Sequence, residues 1–116
     1  MKIEVQDAAV TKPVVLEIIS LSGAHVEVLV FDGATALARH AFKFGEGPFV
    51  MPLPGLSTDT HRINVFVLAL PNLNRMYSVL VSFNHELVAM TDGNVPAGEP
   101  SDSDSATLSL TVGAAP

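Results

Sequence analysis

The chain of 116 residues contains no cysteine, no tryptophan and a single tyrosine, and it has few basic residues. Without thiols it forms no disulfide, no thiolate zinc site and no cysteine nucleophile, so cysteine usage does not constrain its compartment. Six Lys and Arg against twelve Asp and Glu give a net charge of −6. This charge repels phosphate backbones, and we therefore expect no nucleic acid among the partners.

Long apolar runs are also absent. No run approaches the roughly 20 residues of a membrane span, and acids occupy the N-terminal positions where a signal peptide has its apolar core. We expect no membrane association and a cytoplasmic location. The 48% of hydrophobic residues suffices for one domain over 1–116, but 16% charged is low against the usual quarter or so. We therefore expect part of the apolar surface to be covered by a contact other than the core of a single domain.

Alternation of apolar residues with a period of two, broken by turn residues, predicts short strands and no helix. We predict strands at 2–6, 13–21, 25–31, 34–44, 49–51, 62–70, 75–83, 86–91 and 106–112. Asp32-Gly33 indicates a type I′ hairpin turn. Ser22-Gly23 marks another turn, and Asn84-His85 is either a turn or part of one bent strand. The fold class predicted is an all-β, antiparallel, immunoglobulin-like sandwich of seven to nine short strands.

The segment 62–83 organises this prediction. Two runs rich in β-branched and aromatic residues flank 71–74, so we predict a hairpin with Leu68 opposite Tyr77 and Phe66 opposite Val79. The core face of this hairpin would carry Phe66, Leu68, Leu70, Tyr77, Val79, Val81 and Phe83. The full set of predicted core residues comprises Ile3, Val5, Leu16, Ile18, Val28, Val30, Phe66, Leu68, Tyr77, Val79, Val81, Leu108 and Leu110.

The opposite face of the same hairpin is also apolar. It would carry Ile63, Val65, Val67, Ala69, Met76 and Leu80, although a solvated face of an antiparallel sheet is normally polar. We take Ile63, Val65, Val67, Met76 and Leu80 as interface candidates. A second copy in a two-fold dimer is the simplest cover. The chain's own segment 49–56 is the intramolecular alternative.

Two patterns suggest a metal ion. An Asp32-Gly33 turn places His25 opposite His40 with Glu27 on the same face, which suits Zn, Ni or Cu, although a solvated hairpin end is the simpler interpretation. The segment 93–105, predicted to be a mobile loop, gathers oxygen ligands that calcium prefers. These are Asp92, Asn94, Glu99, Asp102 and Asp104. Their spacing does not match an EF-hand, so a solvated acidic loop is favoured, and 113–116 is predicted to be a frayed tail.

Catalytic motifs are not recognisable. Ser57, Asp59 and His61 lie close in sequence, and His85 precedes Glu86. The chain has no nucleophile elbow, no His-Glu-x-x-His and no phosphate-binding glycine loop. We assign no catalytic residue and no cofactor.

These observations favour a non-enzymatic interaction or structural module that acts through protein–protein contacts. The partner would be a second copy of the chain or another protein. A carbohydrate-binding, lectin-like sandwich is the first alternative, weakened by the scarcity of Trp and Tyr. An enzyme of unrecognised type is the second alternative.

Overall fold

The computed structural model describes residues 2–5, 7–21, 25–43, 46–70, 76–95 and 98–114, with the backbone alone for 2–5. Ten strands occupy these ranges. They are β1 (Lys2–Val5), β2 (Ala8–Thr11), β3 (Val15–Ser20), β4 (His25–Asp32), β5 (Thr35–Phe42), β6 (Phe49–Pro52), β7 (Thr60–Leu70), β8 (Met76–Phe83), β9 (Glu86–Asn94) and β10 (Asp102–Gly113). No helix within the described ranges is long and apolar enough to cross a membrane.

The strands form two five-stranded sheets that pack face to face. Sheet A has the order β1-β9-β8-β3-β6, and sheet B has the order β2-β10-β7-β4-β5. The pair β2–β10 is parallel, and the other registered pairs are antiparallel. The predicted all-β sandwich is therefore confirmed. β1 and β2 are separate strands of different sheets, although only two residues lie between them.

The core lies between the sheets and follows the period-two pattern of the sequence. Most of the predicted core residues are buried: Leu16, Ile18, Val28, Val30, Tyr77, Val79, Val81, Leu108 and Leu110. The side chains of Ile3 and Val5 lie outside the described part. Burial of each Val or Leu contributes about 1.5–3 kcal/mol, so this alternation determines which side of a strand faces inward.

The predicted central hairpin is wrong. β7 lies between β10 and β4 in sheet B, whereas β8 lies between β9 and β3 in sheet A. β7 pairs along its length with β4, with Val67 opposite Val28. Its inward face therefore carries Ile63, Val65, Val67 and Ala69, each at most 2% exposed. Residues 71–75, which hold the predicted turn, are outside the described ranges.

The inward face of β7 meets the inward face of sheet A. Val65 and Val67 line the narrow space between the sheets together with Val79 and Val81. From the segment proposed above as an intramolecular cover, Leu53 and Leu56 are buried in the same core. The opposing sheet is therefore the cover of Val65 and Val67, and no second copy is needed there.

The turn between β4 and β5 differs from the prediction by one residue. Asp32 pairs with Thr35, so the loop is Gly33-Ala34, and a register shift follows between Val30 and Phe31. Gly33 has a φ of +57°, and Ala34 does not have a positive φ, which is the pattern of a type II′ turn. The turn therefore begins one residue later than predicted. Each residue of β4 consequently pairs with a different residue of β5 than the prediction gives.

Asn84-His85 is a turn, not part of a bent strand. Both residues have positive φ values, 52° and 64°, as a type I′ turn requires. The Asn84 side chain accepts a hydrogen bond from the Val15 amide (2.7 Å) and donates one to the Thr11 carbonyl (2.8 Å). The backbone N–H of Asn84 donates a hydrogen bond to the Val15 carbonyl oxygen (2.9 Å). Asn84 thereby holds the segment where the chain leaves sheet B after β2 and enters sheet A at β3.

The predicted loop at 93–105 is too long at both ends. β9 continues to Asn94, and β10 begins at Asp102, which pairs with Ala69. The predicted tail is also too long, because β10 extends through Gly113. Residues 96, 97, 115 and 116 lie outside the described ranges, as do the Ser22-Gly23 turn and the end of the predicted strand at Phe44.

Candidate functional site

The predicted pairing of His25 with His40 is wrong. The shifted turn and the irregularity beside it place His40 opposite Val28, while His25 lies opposite Leu70 of β7. Glu27 does not join either ring, since its carboxylate pairs with the Arg39 guanidinium at 3.3 Å. The described part of the chain contains no group of three or more potential ligands positioned to hold a metal ion.

His40 instead joins the edges of the two sheets. Its ring stacks on Phe49 of β6, with centroids 4.5 Å apart, and meets Phe42 edge-on at 4.6 Å. The ring also contacts the Glu46 carboxylate, which accepts a hydrogen bond from the Lys43 amide at 3.1 Å. The Lys43 amide, and then the His40 ring, hold the pKa of Glu46 below its usual value. This cluster links the end of β5 to Glu46 and to Phe49 at the start of β6.

Ser57, Asp59 and His61 do not form a catalytic triad. His61 Nδ1 lies 2.7 Å from Asp32 Oδ2, and His61 Nε2 lies 2.8 Å from the backbone carbonyl oxygen of Ser57. The Asp59 carboxylate accepts a hydrogen bond from the Thr60 amide. Among the described residues, the two ring nitrogens face these two acceptors and not a nucleophilic hydroxyl, and the contacts tie the segment before β7 to the end of β4.

The His61 ring satisfies both contacts only when it is doubly protonated. Each ring nitrogen faces an acceptor, and the neutral imidazole has one N–H to donate. Burial opposes the charge, but the Ser57 carbonyl, the Asp32 carboxylate and the charge of Asp59 outweigh it and raise the pKa of His61. The folded state therefore binds this proton more tightly than the unfolded chain does.

We expect the free energy of unfolding to fall as the pH rises from about 6.5 through the raised pKa of His61. A raised pKa contributes stability that is fully present below the unfolded-state value and is lost as the imidazolium deprotonates in the folded protein. Urea unfolding at a series of pH values between about 6 and 9 measures this slope, and the NMR titration of the His61 ring assigns it.

Asp32→Asn is the matched control for this pH dependence. It preserves the shape of the side chain and removes the charge that faces Nδ1, so the pKa of His61 is expected to fall and the slope to flatten. An identical slope in the wild-type protein and in Asp32→Asn would contradict the assignment.

Among the residues that the structure describes, no three of the acids around 92–104 are grouped so that they could hold a metal ion. The Tyr77 hydroxyl donates a hydrogen bond to Asp102 Oδ2 at 2.5 Å, across the end of the sandwich. Burial, together with the adjoining Asp102 carboxylate, raises the pKa of Tyr77 far above its usual value, so the phenol stays protonated. A shallow depression of about 500 Å³ lies beside this pair and includes Asp92 and Asn94 in its lining.

Two further sequence candidates lie at the surface. His85 is exposed at the second position of the β8–β9 turn, and Glu86 is exposed at the start of β9. No side-chain contact joins them to the His61 cluster in the described part of the chain. They assign no chemistry to this turn.

The interface candidates separate into two groups. Ile63, Val65 and Val67 are buried in the core, so their assignment to an interface is wrong. Met76, 63% exposed, and the half-buried Leu80 lie on the outer face of sheet A.

The largest exposed apolar side chains of β7 lie instead on the outer face of sheet B. Phe66, Leu68 and Leu70 are 44%, 37% and 44% exposed. Phe66 lies opposite the half-buried Leu29, and its ring meets Phe31 edge to face at 5.7 Å. We call these five residues the sheet B patch.

The sequence contains a signal for this patch. Arg62 and Asn64 have the same phase as Phe66, Leu68 and Leu70, because all five occupy even positions of one strand. Polar residues in that phase indicate that it faces outward. A pairing of β7 with β8, which the proximity of the two strands in sequence suggests, predicts the opposite orientation.

The sheet B patch has two different polar flanks. On one side β10 presents Ser103, Ser105 and Thr107, and Thr107 donates a hydrogen bond to the Asn64 side chain at 2.7 Å. On the other side lies the Glu27–Arg39 ion pair of β4 and β5. The patch therefore has neutral hydroxyls along its β10 side, and on β4 it adjoins Glu27, which lies opposite Leu68.

No family model matches the chain, and no curated protein is similar to it in sequence.

Proposed function

We propose that this protein is a non-enzymatic β-sandwich interaction module that binds another protein chain through the sheet B patch. The observation that supports this function is the exposure of three adjoining apolar side chains, Phe66, Leu68 and Leu70, on the outer face of one strand. Leu29 and Phe31 extend the same surface on the neighbouring strand.

The composition of the patch is unusual for a sheet face in water. The outer face of an antiparallel sheet is normally polar, whereas scattered single apolar residues are common on any surface. Five large apolar residues that adjoin across two strands are not scattered. Burying about 300 Å² of such surface contributes roughly 7 kcal/mol before the cost of association.

The surroundings of the patch match those of a protein interface. Interfaces combine an apolar centre, enriched in aromatic residues, with a polar rim that frequently contains Arg. Here Phe66 and Phe31 lie near the centre, and Arg39 and the β10 hydroxyls lie at the rim.

The same geometry gives less support to the two alternatives. A carbohydrate platform presents an aromatic face to the sugar, but the rings of Phe31 and Phe66 meet edge to face at 83°, so the edge of one ring covers a face of the other. A hydrolase of the Ser-His-Asp type requires a histidine nitrogen facing a nucleophile, and both nitrogens of His61 face other acceptors. The interaction module is therefore the function that the contacts favour.

Photo-crosslinking inside cells that make the protein tests this function. A benzoylphenylalanine residue placed at position 66 is expected to form covalent adducts with protein. The same residue at position 87, which lies on sheet A and is occupied by a Leu that is 37% exposed, is the control. Adducts at position 66 and none at position 87 support the proposal, and the absence of adducts at position 66 contradicts it.

A further inference from the structure

We infer that the chain bound at the sheet B patch is a second copy of this protein, held face to face in a two-fold dimer. This inference rests on the proposed function and specifies its partner. Area, charge and symmetry each favour a second copy.

The outer face of sheet B has about the area that a dimer needs. Five strands spaced about 4.8 Å apart, and about eight residues long at 3.3 Å per residue, cover roughly 20 by 25 Å. Projecting side chains increase this footprint toward the roughly 800 Å² per partner of a standard interface. A second sheet of the same size covers the whole face, and sheets pack in this way inside sandwiches.

Two copies of this acidic chain repel each other less through the outer face of sheet B than through other surfaces. The chain carries −6 overall. Among the described outward-facing residues of sheet B, Glu27 is the acid, and it is paired with Arg39 at 3.3 Å. Arg62 adds a positive charge to the same face. The outer face of sheet A, in contrast, carries Glu17 and Asp92, so two copies meet with least repulsion through sheet B.

One row of residues across the sheet is self-complementary under a two-fold rotation. Ser105, Phe66, Leu29 and Arg39 form one row across β10, β7, β4 and β5. A two-fold axis parallel to the strands, between β7 and β4, places Phe66 of one copy over Leu29 of the other. The same rotation places the charged Arg39 over the neutral Ser105. Phe66 and Leu29 therefore meet across the axis and like charges do not, while in the next row Leu68 of each copy meets Glu27 of the other, which is paired with Arg39.

Sedimentation of the purified protein over a range of concentrations tests the dimer. The wild-type protein is expected to approach twice its mass of 12.2 kDa as the concentration rises through the micromolar range. Leu68→Ser is expected to raise the dissociation constant at least about tenfold, because it removes an apolar side chain from the centre of the patch. Leu87→Ser is the matched control, since both leucines are 37% exposed and lie on opposite sheets.

A measurement on the unmutated protein removes the dependence on how a variant folds. In a mixture of isotope-labelled and unlabelled wild-type chains, isotope-filtered NMR is expected to show contacts between Phe66 of one copy and Leu29 of the other. A protein that stays monomeric up to about 1 mM overturns the inference, since a specific dimer of this area binds more tightly. Growth beyond the dimer, or dissociation caused by Leu87→Ser and not by Leu68→Ser, also overturns it.

The crosslinking and sedimentation results together separate the two proposals. Adducts at position 66 with twice the mass of the chain, together with a dimer in solution, support both. Adducts to a different protein, with a monomer in solution, support the proposed function and overturn the dimer. A monomer with no adducts overturns both.

Discussion

Val65→Glu is expected to abolish the folded state, whereas Phe66→Glu, one position along the same strand, is expected to leave the protein folded. Val65 is 1% exposed and faces the opposing sheet. An unpaired carboxylate buried there costs several kcal/mol, a large share of the 5–15 kcal/mol that stabilises a typical domain. Phe66 is 44% exposed on the outer face, so a glutamate at that position reaches water.

Circular dichroism and urea unfolding measure this difference. Val67→Glu and Leu68→Glu provide a second matched pair, with 2% and 37% exposure respectively. All variants are compared with the wild-type protein at one low micromolar concentration, because self-association would add to the apparent stability of a dimer. A folded Val65→Glu variant beside an unfolded Phe66→Glu variant would reverse the assignment of the two faces of β7.

The orientation of a strand is predictable from sequence where polar residues alternate with apolar ones, so that only one face is apolar. In β10 the buried Leu108 and Leu110 alternate with exposed Ser109 and Thr111, so the inward side is unambiguous. β8 is similar, because Tyr77 and the valines that follow it alternate with serines in part of the strand. For these strands, burial of one apolar phase determines both the element and its orientation.

The predicted orientation of β7 is wrong because both of its faces carry apolar residues between 65 and 70. Periodicity predicts a strand there but does not distinguish Val65 and Val67 from Phe66 and Leu68. Proximity in sequence suggested that β7 pairs with β8, although successive strands of a sandwich also cross between sheets. Directly opposite residues of paired strands share a face, so a pairing of Leu68 with the inward-facing Tyr77 places Leu68 in the core and Val67 at the surface, the reverse of the structure.

The contacts of the candidate sites depend on residues that are distant in sequence. The His61–Asp32 contact spans 29 residues, and the Tyr77–Asp102 contact spans 25. Neither is encoded in a local spacing. The prediction of a His25–His40 pair is wrong for a different reason. It assumes a turn at Asp32-Gly33, whereas the turn in the structure is Gly33-Ala34.

Asn84→Ala is expected to lower the free energy of unfolding by about 2–5 kcal/mol. The substitution removes the hydrogen bonds to the Val15 amide and the Thr11 carbonyl, worth about 0.5–1.5 kcal/mol each. It also leaves an alanine at a φ of +52°. Alanine has no polar side chain to form a compensating local hydrogen bond, and this costs about 1–2 kcal/mol. The effect is large for a turn residue because Asn84 holds the crossing between β2 and β3 as well as its own hairpin.

Glycine variants separate these two contributions. Asn84→Gly loses the same two hydrogen bonds but adopts positive φ freely, so it is expected to be destabilised by about 1 kcal/mol less than Asn84→Ala. His85→Gly, at a φ of +64° on an exposed side chain, is expected to be neutral or to stabilise the protein by up to about 1 kcal/mol. Urea unfolding of the three variants gives these differences directly. If Asn84→Ala unfolds at the wild-type urea concentration, the side chain of Asn84 does not hold the β2–β3 crossing.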